Sequence, residues 1–268
     1  MRNSSAVRRA GWARTAPVRG LREFVQVVGV KSVMRNELSV EVYGLDELRH
    51  LTGPAVLVAN HASHLDTAVL LSTLPSKRRR RTAVGIVGDY FFESWLRSSA
   101  SAIAFNTFPI ERKGAPTGTA AGLLARGWSV VVFPEGTRSR DGFMRAFQMN
   151  AAQLAVQSQV PVIPVGILGT YAAMPRGSYW PLAGRPRVGI RYGPPILPRP
   201  GETPQEFAPT IVAAVKQLLA EDATSWWQTQ RGTAEMAEPP AASWRRIWLQ
   251  SDPPVKGGKP PELQIWRR

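Results

Sequence analysis

The chain has 268 residues and a mass of 29.4 kDa, enough for one domain with extensions or at most two small ones. Hydrophobic residues make up 44%, so wholesale disorder is excluded and a sizeable core is possible. The charge of +15 points to an anionic counterpart such as a phosphorylated metabolite, nucleic acid or an acidic membrane surface, and the absence of cysteine removes disulfides, thiolate nucleophiles and Cys-ligated metals.

Residues 1–35 carry eight basic side chains and one acidic one. Leu21, Phe24, Val25 and Val28 follow helical spacing there, which predicts a basic amphipathic helix, packed on the domain or lying on anionic lipid. No apolar stretch of signal-peptide type follows the basic start, and no run of about 20 apolar residues suggests a membrane span. Residues 38–43 alternate like a strand, and 54–59 form a short apolar run that reads as a buried strand. Asn60-His61-Ala62-Ser63-His64-Leu65-Asp66 then opens a helix through Leu74. The run Lys77-Arg78-Arg79-Arg80-Arg81 reads as a solvated loop.

Further on, 117–126 is expected to be a helix closed by Gly127 at the position after its end, and 128–133 a strand entering Pro134-Glu135-Gly136-Thr137-Arg138-Ser139. A helix over 148–157, strands over 160–165 and 187–192, and a helix opened by Thr203, Pro204 and Glu206 complete the pattern. The alternation predicts an α/β domain over 38–221, with a mixed, mostly parallel sheet flanked by helices. It is preceded by the basic segment 1–37. It is followed by a tail, 222–268, with five of the nine tryptophans and three Pro-Pro pairs.

Two segments carry chemistry. His61 and Asp66 sit five residues apart at a strand-to-helix junction, so the carboxylate can fold back onto the imidazole, fix its tautomer and leave the other ring nitrogen to take a proton. That is the orienting half of a catalytic triad, with the nucleophile left to the substrate. Ser63-x-x-Asp66 is equally a capping box, which explains Asp66 by helix stability alone. In the second segment Gly136 lets the backbone approach a ligand, and Arg138 can hold a phosphate bidentately; an ordinary surface turn with a Glu135–Arg138 ion pair is the alternative. Arg112, closing Phe108-Pro109-Ile110-Glu111-Arg112, offers a second arginine.

Taken in order, these segments resemble the lysophospholipid acyltransferase family, whose best-known members are the 1-acyl-glycerol-3-phosphate acyltransferases. The family pattern NHxSxxD matches residues 60–66, an apolar stretch ending in Arg matches 108–112, FPEGTRS matches 133–139 in full, and an apolar VPxxPV-like strand matches 160–165. The resemblance implies a single glycerolipid-acyltransferase-like domain. It implies that His61 is the general base and Asp66 its partner. Arg112, Glu135, Gly136, Thr137 and Arg138 would line the acceptor site, and Pro161 would shape the region near the acyl donor.

The implied reaction moves an acyl chain from acyl-CoA, or from acyl carrier protein, to a lyso-lipid, with no cofactor or metal beyond that thioester. The basic N-terminus, the basic run at 77–81 and the Trp-rich tail suit a peripheral protein on the cytoplasmic inner face of an anionic membrane, with no nucleic-acid partner expected. One departure concerns the acceptor: where the family often reads FKxG, this chain has Phe147-Gln148-Met149-Asn150. A different lyso-lipid acceptor, a basic nucleic-acid-binding protein and a catalytically silent lipid binder are the rival readings.

Overall fold

The computed structural model describes residues 14–87, 103–110 and 118–223, and within them seven strands form one sheet. They are β1 (Ser39–Tyr43), β2 (Val56–Ala59), β3 (Thr82–Val87), β4 (Thr107–Ile110), β5 (Ser129–Val132), β6 (Val162–Leu168) and β7 (Arg187–Tyr192). Their order across the sheet is β1-β7-β6-β2-β5-β3-β4. Strands β2 to β6 all run the same way, and β7 turns back antiparallel to β6 with β1 parallel to it. The expected mixed, mostly parallel α/β sheet is therefore observed.

The central strands β2 and β5 are buried at every position, as strands covered on both faces must be. Side chains alternate between the faces. Leu57 and Ala59 face one core, with Val69, Leu70 and Leu71 of helix α3 (Leu65–Thr73) and with Met34. Val56 and Val58 face the other, with Leu123 and Leu124 of α5 (Gly118–Ala125), Leu154 of α6 (Asn150–Ser158) and Phe207 and Ile211 of α8 (Pro204–Ala223).

The helix ends follow their local chemistry. Gly127 has φ +76°, its N–H donates to the Leu124 carbonyl, and Trp128 N–H donates back to Leu123 at 3.0 Å, a Schellman closure of α5. At the start of α8 the Thr203 N–H and hydroxyl both donate to the Glu206 carboxylate, at 2.9 and 2.7 Å, while the Glu206 N–H donates to the Thr203 hydroxyl.

The N-terminal segment is helical from Ala16 to Glu37. Helix α1 (Ala16–Phe24) passes through a π-helical stretch (Val25–Val30) into α2 (Lys31–Glu37). The basic run is exposed as expected at Lys77, Arg80 and Arg81, but it is not simply a loop and not solvated throughout. Ser76–Arg79 forms a short helix, α4, in which Arg79 is buried and Arg78 donates to the carbonyls of Leu51 and Gly53 and to the Ser129 hydroxyl. Two carbonyls and a hydroxyl stand in for the water this guanidinium gives up. Strand β3 and the short helix α7 (Thr170–Ala173) lie outside the sequence expectations, and the tail from 224 onward lies outside the described residues.

Candidate active site

Parallel strands place their C-terminal ends together, and two loops leave β2 and β5 side by side there. The β2 loop carries residues 60–64 and the β5 loop residues 133–139. Asn60 closes the strand end. Its side-chain amide donates to the Ile167 carbonyl and its side-chain oxygen accepts from the Ile167 N–H, each at 2.8 Å, so a side chain extends the β2–β6 ladder by one step.

His61 comes next. Its Nδ1 meets Asp66 Oδ2 at 2.8 Å, and the ring stacks on Phe133 with centroids 4.2 Å apart. With Nδ1–H donating to a carboxylate, Nε2 carries the lone pair that can accept a proton. Asp66 is completely buried. The same Oδ2 also accepts from the backbone N–H groups of Ala62 and Ser63, at 2.7 and 2.8 Å. The capping box is not formed: His64 precedes the first helical residue without a side-chain cap bond and the Ser63 hydroxyl donates to the Met174 carbonyl at 2.9 Å, so Asp66 Oδ2 ties the imidazole to the loop backbone instead. The other oxygen, Oδ1, accepts from the hydroxyl of Thr170 at 2.5 Å. Thr170 is fully buried at the start of α7, directly beyond β6.

The β5 loop locks onto His61 through the backbone. Glu135 Oε1 accepts from the His61 N–H at 2.8 Å, Oε2 accepts from the Arg145 N–H at 3.1 Å, and the Ser139 N–H donates to the His61 carbonyl at 2.8 Å. Burial pushes the Glu135 carboxyl up to about 7, against the pull of those two backbone donors. Glu135, expected to face the acceptor, is thus buried, and both its oxygens serve the backbone. Gly136 turns at φ +70°, where an added Cβ would lie 2.6 Å from Gln148 Nε2. Thr137 is exposed and Arg138 half-buried.

His64 is exposed, and its pKa is lowered by partial desolvation and then by the Arg138 charge, with Arg176 adding to it. Arg112 lies outside the described residues.

Pro161 is a correction. Its carbonyl accepts from the Val56 N–H, at the N-terminal end of β2, whereas His61 follows the C-terminal end. Since β6 runs parallel to β2, Pro161 lies at the far end of the sheet from His61 and does not line this site. Among the described residues no group of three or more His, Asp and Glu side chains could hold a metal ion.

Residues 39–168 match the protein-family model named Acyltransferase. The matched segment, residues 39–168, belongs to the acyltransferase family. A chloroplastic 1-acyl-sn-glycerol-3-phosphate acyltransferase of Brassica napus is 32% identical over 139 residues, 52% of this chain and 40% of that protein. A 1-acyl-sn-glycerol-3-phosphate acyltransferase alpha of Mus musculus is 31% identical over 179 residues, 63% of this chain and 58% of that protein. The chain thus spans about two-fifths to three-fifths of these relatives.

The crystal structure of a 1-acyl-sn-glycerophosphate acyltransferase, PlsC, from Thermotoga maritima superposes with a TM-score of 0.59 at 24% identity. It covers 75% of this chain and 81% of that one, which establishes the shared fold. Within the acyltransferase domain the structure brings His61, Asp66, Glu135, Gly136 and Arg138 to one end of the sheet. It adds Thr170 and Phe133, which the sequence reading had not singled out. Phe133 stands inside the FPEGTRS segment, so its place in the motif was a signal. Thr170 has none, because its contact with Asp66 spans 104 residues.

Proposed function

We propose that this acyltransferase moves a fatty acyl chain from an acyl-CoA or acyl carrier protein thioester to the free hydroxyl of 1-acyl-sn-glycerol-3-phosphate, giving phosphatidic acid. The observation that carries the reading is the His61 Nδ1–Asp66 Oδ2 contact of 2.8 Å, which leaves Nε2 as a base. Nε2 takes the proton of the acceptor hydroxyl as its oxygen attacks the thioester carbonyl carbon. The tetrahedral oxyanion collapses, the C–S bond breaks, and the thiolate leaves with the proton returned from His61. Asp66 stabilises the imidazolium between the two transfers. Arg138 is the described side chain suited to the acceptor phosphate.

The test is free-thiol release from a long-chain acyl-CoA with lysophosphatidic acid as acceptor. The chain has no cysteine, so a thiol reagent sees only the released CoA. His61→Ala should lower the acceptor-dependent rate by roughly 10²–10⁴-fold. A near-normal rate in that variant sinks the mechanism. A second reading keeps the reaction and changes the acceptor to lyso-ornithine lipid, lysocardiolipin or a glycolipid. It is favoured by the neutral Gln148 side chain packed against Gly136. A panel of lyso-lipids under the same assay separates the two.

We also propose peripheral contact with the cytoplasmic inner face of an anionic membrane. No helix among the described residues is long and apolar enough to cross a bilayer. Leu21, Phe24 and Val28 are 50%, 63% and 51% exposed on one side of a basic helical segment, which suits an interfacial helix.

A further inference from the structure

The topology separates the two ends of the molecule chemically. His61 and Glu135 follow the C-terminal ends of β2 and β5, and β3 runs parallel to β5. Lys77, Arg80 and Arg81 precede β3, so they stand at the opposite end of the sheet. There α1 passes alongside α4 and leaves a cavity of about 550 Å³, lined by Arg19, Arg22, Glu23, Lys77, Arg80 and Arg81. Among the described lining residues five cations meet one carboxylate. That carboxylate is engaged by Arg80, whose Nε and Nη2 approach Glu23 Oε1 at 2.7 and 2.5 Å. Among the described lining residues the cavity therefore keeps a surplus of positive charge, with Arg19, Lys77 and Arg81 exposed around it.

The cavity is built, not merely decorated by surface side chains. Arg22 is only 5% exposed, and its Nε donates to the Ile103 carbonyl at 2.9 Å, which fixes the guanidinium. Gln26, one helical turn on and also buried, donates to the Ala104 carbonyl at 2.7 Å and anchors the same face. Burial, and then the neighbouring charges of Arg14 and Arg19, lower the Arg22 pKa to about 10, so it stays charged at neutral pH. Like charges gathered and held in this way repel one another, and a multivalent anion relieves the repulsion.

We propose that this cavity is a phosphate-binding site, separate from the reaction centre, in which Arg19, Arg22, Lys77 and Arg81 hold a phosphate group. Guanidinium forks match phosphate oxygens two at a time, and a lysine adds a point charge. The helix geometry favours a soluble phosphate ester as its source. At 100° per residue, Arg19 and Arg22 lie on one side of α1 and Leu21 and Phe24 on nearly the opposite side. A bilayer receiving the apolar side would leave the cavity facing away from its headgroups. The proposal does not depend on the reaction assigned to His61.

The experiment is thermal unfolding of the intact chain with inorganic phosphate and with glycerol 3-phosphate, against chloride at matched ionic strength. Phosphate at about 100 times its Kd should raise Tm by roughly 5–10 °C in a saturable way. The rise should vanish in Arg19→Ala/Lys77→Ala, two exposed side chains, and should survive both Arg138→Ala and the control Arg199→Ala/Lys216→Ala. Acceptor-dependent thiol release in detergent micelles should be unchanged in Arg19→Ala/Lys77→Ala, which keeps this test distinct from that of the reaction.

A parallel arm measures binding to vesicles of neutral phosphatidylcholine with and without an anionic phospholipid. If Arg19→Ala/Lys77→Ala loses anionic-vesicle binding while soluble phosphate has no effect, the phosphate group belongs to a lipid headgroup. Three outcomes overturn the site: no dependence on these residues in either arm, a Tm rise that persists in Arg19→Ala/Lys77→Ala, or an equal loss in the control variant.

Discussion

Three donors converge on one oxygen of Asp66, from the His61 ring and from the Ala62 and Ser63 backbones, while the other oxygen takes the Thr170 hydroxyl. In a buried site each of these bonds orients the carboxylate, and a hydrogen bond to a charged group contributes about 1.5–3 kcal/mol. In the proposed mechanism Thr170 is a positioning residue, acting on the imidazole through Asp66. Thr170→Val keeps the shape and removes the donor. It should lower kcat by roughly tenfold with KM little changed, and Thr170→Ser should restore most of the loss. A Thr170→Val enzyme whose KM rises while kcat holds would assign the residue to substrate binding instead.

Glu135 gives a prediction of a different kind. Its carboxyl is raised from 4.5 to about 7 in the folded chain, chiefly by burial. Between those values the folded state holds the proton more tightly than the unfolded state, so stability is highest below about 4.5 and falls as pH rises towards 7. The contribution is on the order of 3 kcal/mol. Tm measured from pH 5 to 8 should therefore fall more steeply in the wild type than in Glu135→Gln. Equal slopes would show that Glu135 ionises normally in the fold.

At the scale of elements, two glycines with similar backbones should behave differently. Gly127 and Gly136 have φ of +76° and +70°. Alanine at either position is strained by about 1–2 kcal/mol, a Tm loss of a few degrees. Gly127 closes α5, where an added Cβ would meet only Arg81 Nη1 at 3.4 Å. Gly136 follows the carboxylate that holds the His61 backbone, and its Cβ would displace the Gln148 amide. Both variants should unfold earlier, and only Gly136→Ala should also lose acyl-transfer rate. Parallel thermal melts and thiol-release assays test the pair.

What was legible in the sequence follows from range. His61 and Asp66 are five residues apart, so their contact is a property of one junction and could be read there. The ends of α5 and α8 were legible for the same reason, since their closing contacts span three to five residues. The Glu135 link to His61 crosses 74 residues and depends on β2 and β5 being neighbours, which no local pattern reveals. Pro161 was misplaced because an apolar strand block does not say which of its ends faces the site; the parallel pairing of β6 with β2 decides that. The basic run was misread at Arg78 and Arg79 because composition predicts solvation, while Arg79 is buried and Arg78 is held by carbonyls from the Leu51–Gly53 segment.

At the scale of the whole molecule, the proposed membrane contact is made by a chain of net charge +15. Two components can be separated, because they act over different distances. Charge attraction is screened within about 10 Å at 0.1 M salt, while insertion of an apolar side chain is hardly affected by salt. Phe24 is the most exposed of the large apolar side chains on the N-terminal helical segment, and its neighbour on the stripe is Leu21. Burying a Phe side chain in an apolar phase is worth about 1.5–3 kcal/mol, so Phe24→Ala should weaken vesicle partitioning by roughly tenfold or more. The loss should be the same on neutral and anionic vesicles and should persist at high salt. Raising salt in the wild type should instead erase only the preference for anionic vesicles. Sedimentation with the two vesicle types at two salt concentrations reads both components together. If Phe24→Ala partitions like the wild type while salt abolishes binding, contact is electrostatic alone and the apolar stripe stays outside the bilayer.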